Sequence, residues 1–330
     1  MAVQDEREGA RGRTVARSEA PLFAALDLGT NNCRLLIAAA GPGGRFRIVD
    51  SFSRVIRLGE GLAQTGVLSD DAIARTIDAL KVCASHLRRH NVVRLRAVAT
   101  EACRRAENAD VLVARAREEA GIDLEIVTVE EEAHLAALGA APLVGRRYRG
   151  ALVFDVGGGS TEVIWLKRSG KKVRNVFSSS VPVGVVTLAE DSGTANYESL
   201  RASIRPLFHA VKQRMARAGE FKPHVNHLLG TSGTVTTLAG IALALPRYDR
   251  ARVDGSWHSS IRMLEIAEDV AGRDLRGRAD MPCIGAERAE LMLPGLAIFS
   301  AIALEWPCAE LRVADRGLRE GILLELVESN

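Results

Sequence analysis

The sequence predicts an α/β protein built from two similar halves that face each other across a cleft. Three observations carry that reading. Residues 25–37 read Ala-Leu-Asp-Leu-Gly-Thr-Asn-Asn-Cys-Arg-Leu-Leu-Ile, and residues 153–165 read Val-Phe-Asp-Val-Gly-Gly-Gly-Ser-Thr-Glu-Val-Ile-Trp. Each is an apolar strand, an Asp, a Gly/Ser/Thr turn and a second apolar strand. The two aspartates, Asp27 and Asp155, stand about one domain's length apart. The predicted elements around each loop follow the same order, β-β-β-α-β-α, and 330 residues accommodate two domains.

In the first half, 22–28 and 34–40 run apolar as strands do. Gly41-Pro42-Gly43-Gly44 signals a turn; 45–50 returns as a third strand, and 53–58 reads as a further short one. Ser69 caps a helix whose first turn holds Asp70 and Asp71, favourable against its dipole. Its apolar stripe is Ile73, Ile77, Leu80, Ala84 and Leu87. A strand over 95–100, a helix over 108–120 ended by Gly121, a strand over 124–129 and a helix over 130–140 complete the half. In the second half, strands are expected over 151–156, 162–167 and 172–180, then a helix over 197–217. A strand over 227–231 leads into Ser232-Gly233-Thr234 and a helix to about 244. A helix over 287–305 with Pro294 as a kink, a strand over 310–314 and a helix over 318–328 close the chain. The boundary falls near 146–150. This divides the chain into a frayed, disordered tail (1–20), an N-terminal domain (21–149) and a C-terminal domain (150–330).

Composition narrows the class. A chain 47% hydrophobic and 26% charged builds sizeable cores, and with 4% aromatics these are mainly Leu, Ile, Val and Ala. A net charge of +3 does not argue for nucleic acid. No apolar run is long enough to cross a membrane, and 1–20 has no apolar core of the kind a signal peptide needs. Cys33, Cys83, Cys103, Cys283 and Cys308 are odd in number, scattered and without metal-ligand spacing. They read as reduced thiols in a cytoplasmic protein.

The loops carry the chemistry. In the second, Gly157, Gly158 and Gly159 permit positive φ and bring bare backbone N–H groups to an anion. Ser160 and Thr161 add hydroxyl donors. Asp155 and Glu162 are hard oxygen ligands suited to Mg²⁺. In the first, Gly29, Thr30 and Asn31 face a phosphate while Asp27 binds metal through water or positions a water. A third loop, Gly230-Thr231-Ser232-Gly233-Thr234, follows an apolar strand and opens a helix, so Thr231, Ser232 and Gly233 sit at a positive dipole end. Arg104 and Arg105 follow the strand ending at Thr100, where an arginine clamps phosphate in two-pronged fashion. Glu130, Glu131 and Glu132 open a helix between the halves. A phosphohydrolase needs a base there for water, and periodicity does not choose among the three.

Together these segments resemble the exopolyphosphatase/guanosine pentaphosphate phosphohydrolase family, within the actin–sugar kinase–heat-shock ATPase superfamily. The matching motifs are Asp27-Leu28-Gly29-Thr30-Asn31, Arg57-Leu58-Gly59-Glu60-Gly61-Leu62, 99–108, Glu131-Glu132-Ala133, 155–162, 230–238 and Gly317-Leu318-Arg319-Glu320-Gly321. The resemblance implies a duplicated actin-like (ribonuclease H-like) fold and Mg²⁺-dependent release of a terminal phosphate. It places the catalytic glutamate on Glu132, the phosphate loops on 27–31 and 155–162, and the motif arginine on Arg104. His134 stands where the family commonly has Arg. The chain's end near residue 330 suggests a shorter substrate groove than in longer members. The resemblance also favours a homodimer, and a last helix that crosses back onto the N-terminal domain. The leading expectation is an exopolyphosphatase acting on inorganic polyphosphate, with Arg247, Arg250, Arg252 and Arg288 as candidates to line its path. Hydrolysis of pppGpp uses the same loops. An ATP-binding kinase or nucleotide switch is the reading from a different class.

Overall fold

The structure, a computed structural model, describes residues 20–41, 45–192 and 196–329. The turn tip at 42–44 and the expected tail, apart from residue 20, lie outside the described residues.

The first half contains β1 (Leu22–Leu28), β2 (Asn32–Gly41), β3 (Arg45–Val55), α1 (Leu62–Thr65), α2 (Asp70–Arg89), β4 (Arg94–Ala99), α3 (Glu101–Arg105), α4 (Ala109–Arg115), β5 (Leu124–Ile126) and α5 (Val129–Ala140). Its sheet runs β3-β2-β1-β4-β5, antiparallel across β1–β2 and β2–β3 and parallel across β1–β4 and β4–β5. The second half contains β6 (Gly150–Val156), β7 (Thr161–Ser169), β8 (Lys172–Val181), α6 (Val185–Ser192), α7 (Tyr197–Met215), β9 (Asn226–Thr231), α8 (Gly233–Ala242), α9 (Arg250–Val253), β10 (Trp257–Ser259), α10 (Ser260–Ala271), α11 (Leu275–Ala279), α12 (Ala286–Glu305), β11 (Glu310–Val313) and α13 (Leu318–Glu328). Its sheet, β10-β11-β9-β6-β7-β8, repeats the first half's order and strand directions and adds β10 at the edge. Two mixed sheets of one topology are the duplicated actin-like fold.

Alternation along the central strands gives each sheet two buried faces. In the first sheet Leu26, Leu35 and Ile37 pack on Ile73, Ile77 and Leu80 of α2. Phe23, Ala25, Leu36 and Val98 point the other way, onto Leu318, Ile322 and Leu323 of α13. In the second, Phe154 and Trp165 pack on Phe208 of α7 and Phe299 of α12. Val153 and Ile164 face Ala133, Ala136 and Ala140 of α5. The halves therefore exchange helices: α5 covers the second sheet and α13 the first.

The bounds of some expected elements shift. Residues 45–55 form one strand instead of two. A register shift at Ile37/Ala38 lets the hairpin run on past residue 50. The helix expected from 130 begins at Val129, because Thr128 accepts the Glu131 N–H as its cap, and β5 is shortened accordingly. Among the described residues no helix is long and apolar enough to cross a membrane.

Candidate active site

Both Asp–Gly loops lie at the ends of central strands and are closed by the same turn. Gly29 N–H donates to Asn32 O and Gly157 N–H to Ser160 O, each at 2.9 Å. Gly157, Gly158 and Gly159 do not take positive φ; close approach is what requires glycine there. A Cβ on Gly158 would lie 2.9 Å from Thr30 Cβ, and one on Gly159 3.0 Å from Thr30 Oγ1 and from Glu101 Cγ. The two loops thus meet across the cleft, beside a cavity of about 520 Å³. Asp27, Gly29, Thr30 and Asn31 line it from one side. Asp155, Gly157, Gly158, Gly159, Ser160 and Glu162 line it from the other, with Glu132 and the Ser232-Gly233 turn between them.

Four carboxyl groups gather here with depressed acidity. Burial raises Asp27 and Asp155, and Arg34 and Arg319 hold both back. Thr231, the cross-strand neighbour of Asp155, lies buried beside it and lowers it too. Glu162, 3% exposed, accepts the Ser160 and Ser180 hydroxyls at 2.8 and 2.9 Å. Burial and then its neighbours Glu132 and Asp155 push it well above the ordinary range. Glu132 is raised to about 7, first by burial; Arg104 opposes this, and Asp27 and Asp155 add to it.

Not every predicted residue reaches the cavity. Arg104 does not line it. Its guanidinium donates to Glu132 Oε2 at 2.6 Å, to Glu101 Oε2 at 2.9 Å and to Val127 O at 3.1 Å. It therefore braces Glu132. The Thr161 hydroxyl is fully buried and donates to Val183 O at 2.6 Å, so it has no proton left for a phosphate. Arg247 and Arg252 line neither cavity of the cleft.

Sequence comparison decides the family. A sequence model of the Ppx/GppA phosphatase family matches residues 36–330. The chain belongs to the Ppx/GppA phosphatase family. Exopolyphosphatase 2 of Mycobacterium tuberculosis is 32% identical over 325 residues, spanning 92% of this chain and 98% of that protein. The crystal structure of the Aquifex aeolicus Ppx/GppA family member superposes with a TM-score of 0.75 at 30% identity, over 94% of this chain and 99% of that one. An exopolyphosphatase from Cytophaga hutchinsonii, 23% identical, has the same fold, with a TM-score of 0.82 over 93% of this chain and 98% of that one. The protein is thus a hydrolase of the phosphatase class.

In this Ppx/GppA phosphatase the cleft holds cations that the loops alone did not reveal. Arg34 pairs in register with Asp27 across β1–β2, where Glu162 pairs with Asp155 across β6–β7. One half thus presents a base where the other presents an acid. The signal was available, since Arg34 and Glu162 follow their aspartates by the same number of residues. Arg34 lines both the main cavity and a second one of about 300 Å³ that continues past Asp27 and Asp155. Arg250, Arg288, Arg316 and Arg319 line this second space. Arg250 is bonded to Glu320 and Arg316 to Asp254. Arg34, Arg288 and Arg319 make no ion pair with another described residue and are free to meet an anion.

Proposed function

We propose that this phosphatase removes the terminal phosphate of inorganic polyphosphate. What carries the reading is Glu132, a carboxyl poised near neutrality at the meeting point of two glycine loops. Its kinship to Exopolyphosphatase 2 supports the substrate class. The terminal phosphate sits against the backbone N–H groups of Gly158 and Gly159 and the Thr30 hydroxyl, while the Gly157 N–H and the Ser160 hydroxyl, already donated to Ser160 O and Glu162, shape the loop. Glu132 takes a proton from water; the water oxygen bonds to the terminal phosphorus. The bridging P–O bond breaks and its electron pair leaves on the shortened chain. Arg104, bonded to Glu132, keeps that carboxyl oriented and limits the rise of its pKa.

The residues present fit Mg²⁺. Neighbouring carboxyl groups add to the raised pKa of each of the four acids, and Asn31 Oδ1 is buried without a hydrogen-bond donor. A cation would relieve both. Among the described residues no three ligands converge into a cage. Mg²⁺ does not require one, since it keeps several waters and takes one or two carboxylates beside phosphate oxygens. Asp155 and Asp27 would hold it, with Glu162 behind them, and when bound it neutralises charge on the phosphate oxygens.

One observation favours a second substrate, pppGpp. The second cavity brings Phe52 and Tyr248 together with unpaired guanidinium groups, a setting for a base and further phosphates. The same reading takes the enzyme as a cytoplasmic homodimer, supported by five free thiols and by the family resemblance; sedimentation velocity tests the dimer. The deciding assay is phosphate release from a polyphosphate length series and from pppGpp with Mg²⁺. The wild type is expected to hydrolyse polyphosphate. Glu132→Ala should lose roughly 10²–10⁴-fold in turnover while remaining folded. Near-wild-type release from that variant would sink the assignment of the base.

A further inference from the structure

Each phosphate loop is fastened to a neighbouring segment of its own half. The turn after β3 is tied to the first loop through backbone. Ile56 and Arg57 donate to Asn31 O at 2.8 and 3.1 Å, and Gly59 donates to Thr30 O at 2.9 Å. A Cβ on Gly59 would fall 2.3 Å from Thr30 Cγ2, so the turn lies flush against the loop. In the other half the start of α6 holds the second loop. Val185 donates to Gly157 O at 2.9 Å and Val186 to Gly158 O at 2.8 Å, and a Cβ on Gly184 would fall 2.3 Å from the Gly158 carbonyl carbon.

These two supports meet at one bond. Glu190, on α6, accepts the Gly61 N–H at 3.0 Å on Oε1. Its other oxygen, Oε2, is buried without a partner. A carboxylate left half-satisfied out of water is costly, and a neutral side chain would avoid the cost. What the carboxylate gains is a charge-assisted bond between the halves. Gly61, at φ 73°, can turn its N–H outward in a conformation other residues rarely adopt. The ion pair that crosses from this turn to the second half among the described residues, Arg57 to Glu290 at 3.8 Å, joins two side chains more than half exposed and adds little.

We infer that Glu190 is a positioning residue that clasps the turn at 56–61 to α6 and thereby holds the two phosphate loops at their closed separation. The kinetic part of this rests on the proposed hydrolysis; the structural part does not. The loops act on one phosphate, so releasing the clasp weakens substrate binding more than it slows the bound substrate. Saturating substrate draws the loops together again.

The test compares wild type, Glu190→Ala and Glu190→Gln by hydrogen exchange without substrate and by steady-state hydrolysis of a short polyphosphate. Glu190→Ala should speed exchange across 56–66 and 184–190 by about tenfold, the worth of one charge-assisted bond. It should raise KM by a similar factor and leave kcat within about threefold. Glu190→Gln, whose amide oxygen still accepts the Gly61 N–H but without the charge, should restore about half of each effect on a logarithmic scale. Should the alanine variant not fold, Glu190→Asp, one methylene too short to reach, replaces it. Unchanged exchange in the alanine variant overturns the clasp, as does a glutamine variant as impaired as alanine. A melting temperature and an apparent kcat that fall together while KM stays unchanged overturn it in favour of a folding role. If the wild type hydrolyses nothing, the proposed function fails while the exchange data still decide the clasp.

Discussion

Arg104 and Glu132 form a pair in which the cation sets when the acid becomes a base. Burial lifts Glu132 to about 7, and Arg104 is the largest influence pulling it down. Only the ionised form accepts a proton from water, so kcat/KM should rise with pH through that region. Removing the guanidinium removes the downward pull, and the base form then appears only at higher pH. Arg104→Ala should move the acid limb of the kcat/KM profile upward by about 1 to 2 pH units and recover part of its lost activity at pH 9. An arginine that clamped phosphate would act differently, raising KM at every pH and leaving the limb in place. The pH profile of the variant therefore separates the bracing role that the geometry gives Arg104 from the clamping role its motif suggests.

At the scale of elements, the exchange of α5 and α13 brings Glu132 to the cleft, and two glycines make it possible. A Cβ on Gly139 would lie 2.0 Å from Gly317 O, and one on Gly321 2.0 Å from Leu135 O. Backbone cannot yield as a side chain does, so Gly321→Ala should cost about 2 kcal/mol or more of stability by overpacking. Gly233→Ala, also helical but with open space around it, should cost far less stability; equal melting temperatures for the two would refute the close crossing. The elements themselves were largely legible in the sequence. The Ser69 cap and the stripe Ile73, Ile77 and Leu80 mark α2, and paired apolar runs mark the central hairpins. The helix α10 was legible too and missed, with Ser259 as its cap and Met263, Ile266, Ala267 and Val270 as its buried stripe. The exchange of helices was not legible in the residues themselves; the family resemblance gave only its α13 half, which packs on the first sheet as expected. A stripe says which face is buried, not which sheet it meets, and the Ala-rich face of α5 suits either one. The same limit hid the Arg104–Glu132 bond, which joins two elements through their ends. Arg34 was different, since its offset from Asp27 equals that of Glu162 from Asp155.

Across the whole molecule, the carboxyl groups of the cleft link stability to pH and to cations. Asp27, Glu132, Asp155 and Glu162 all have raised pKa values in the folded protein. The folded state therefore keeps protons that the unfolded chain, with carboxyl groups near 4, gives up. Stability falls with rising pH wherever the native state binds more protons. The contribution is whole below the unfolded pKa and is lost as pH climbs through the folded values, near 7 for Glu132. His227, buried and lowered to about 4, works in the opposite direction below about 6.5, where the unfolded chain takes up a proton that it refuses. Between pH 6.5 and 8.5 the acids act with little interference from it. The melting temperature should drop by several degrees over that window, and Glu132→Gln should flatten the slope. A cation binding the ionised cluster must compete with protons at the low end. Added Mg²⁺ should therefore raise the melting temperature more at pH 8.5 than at pH 6.5. A slope untouched by Glu132→Gln would remove that residue from the linkage. Equal stabilisation by Mg²⁺ at both ends would mean that the cation binds elsewhere than among these acids.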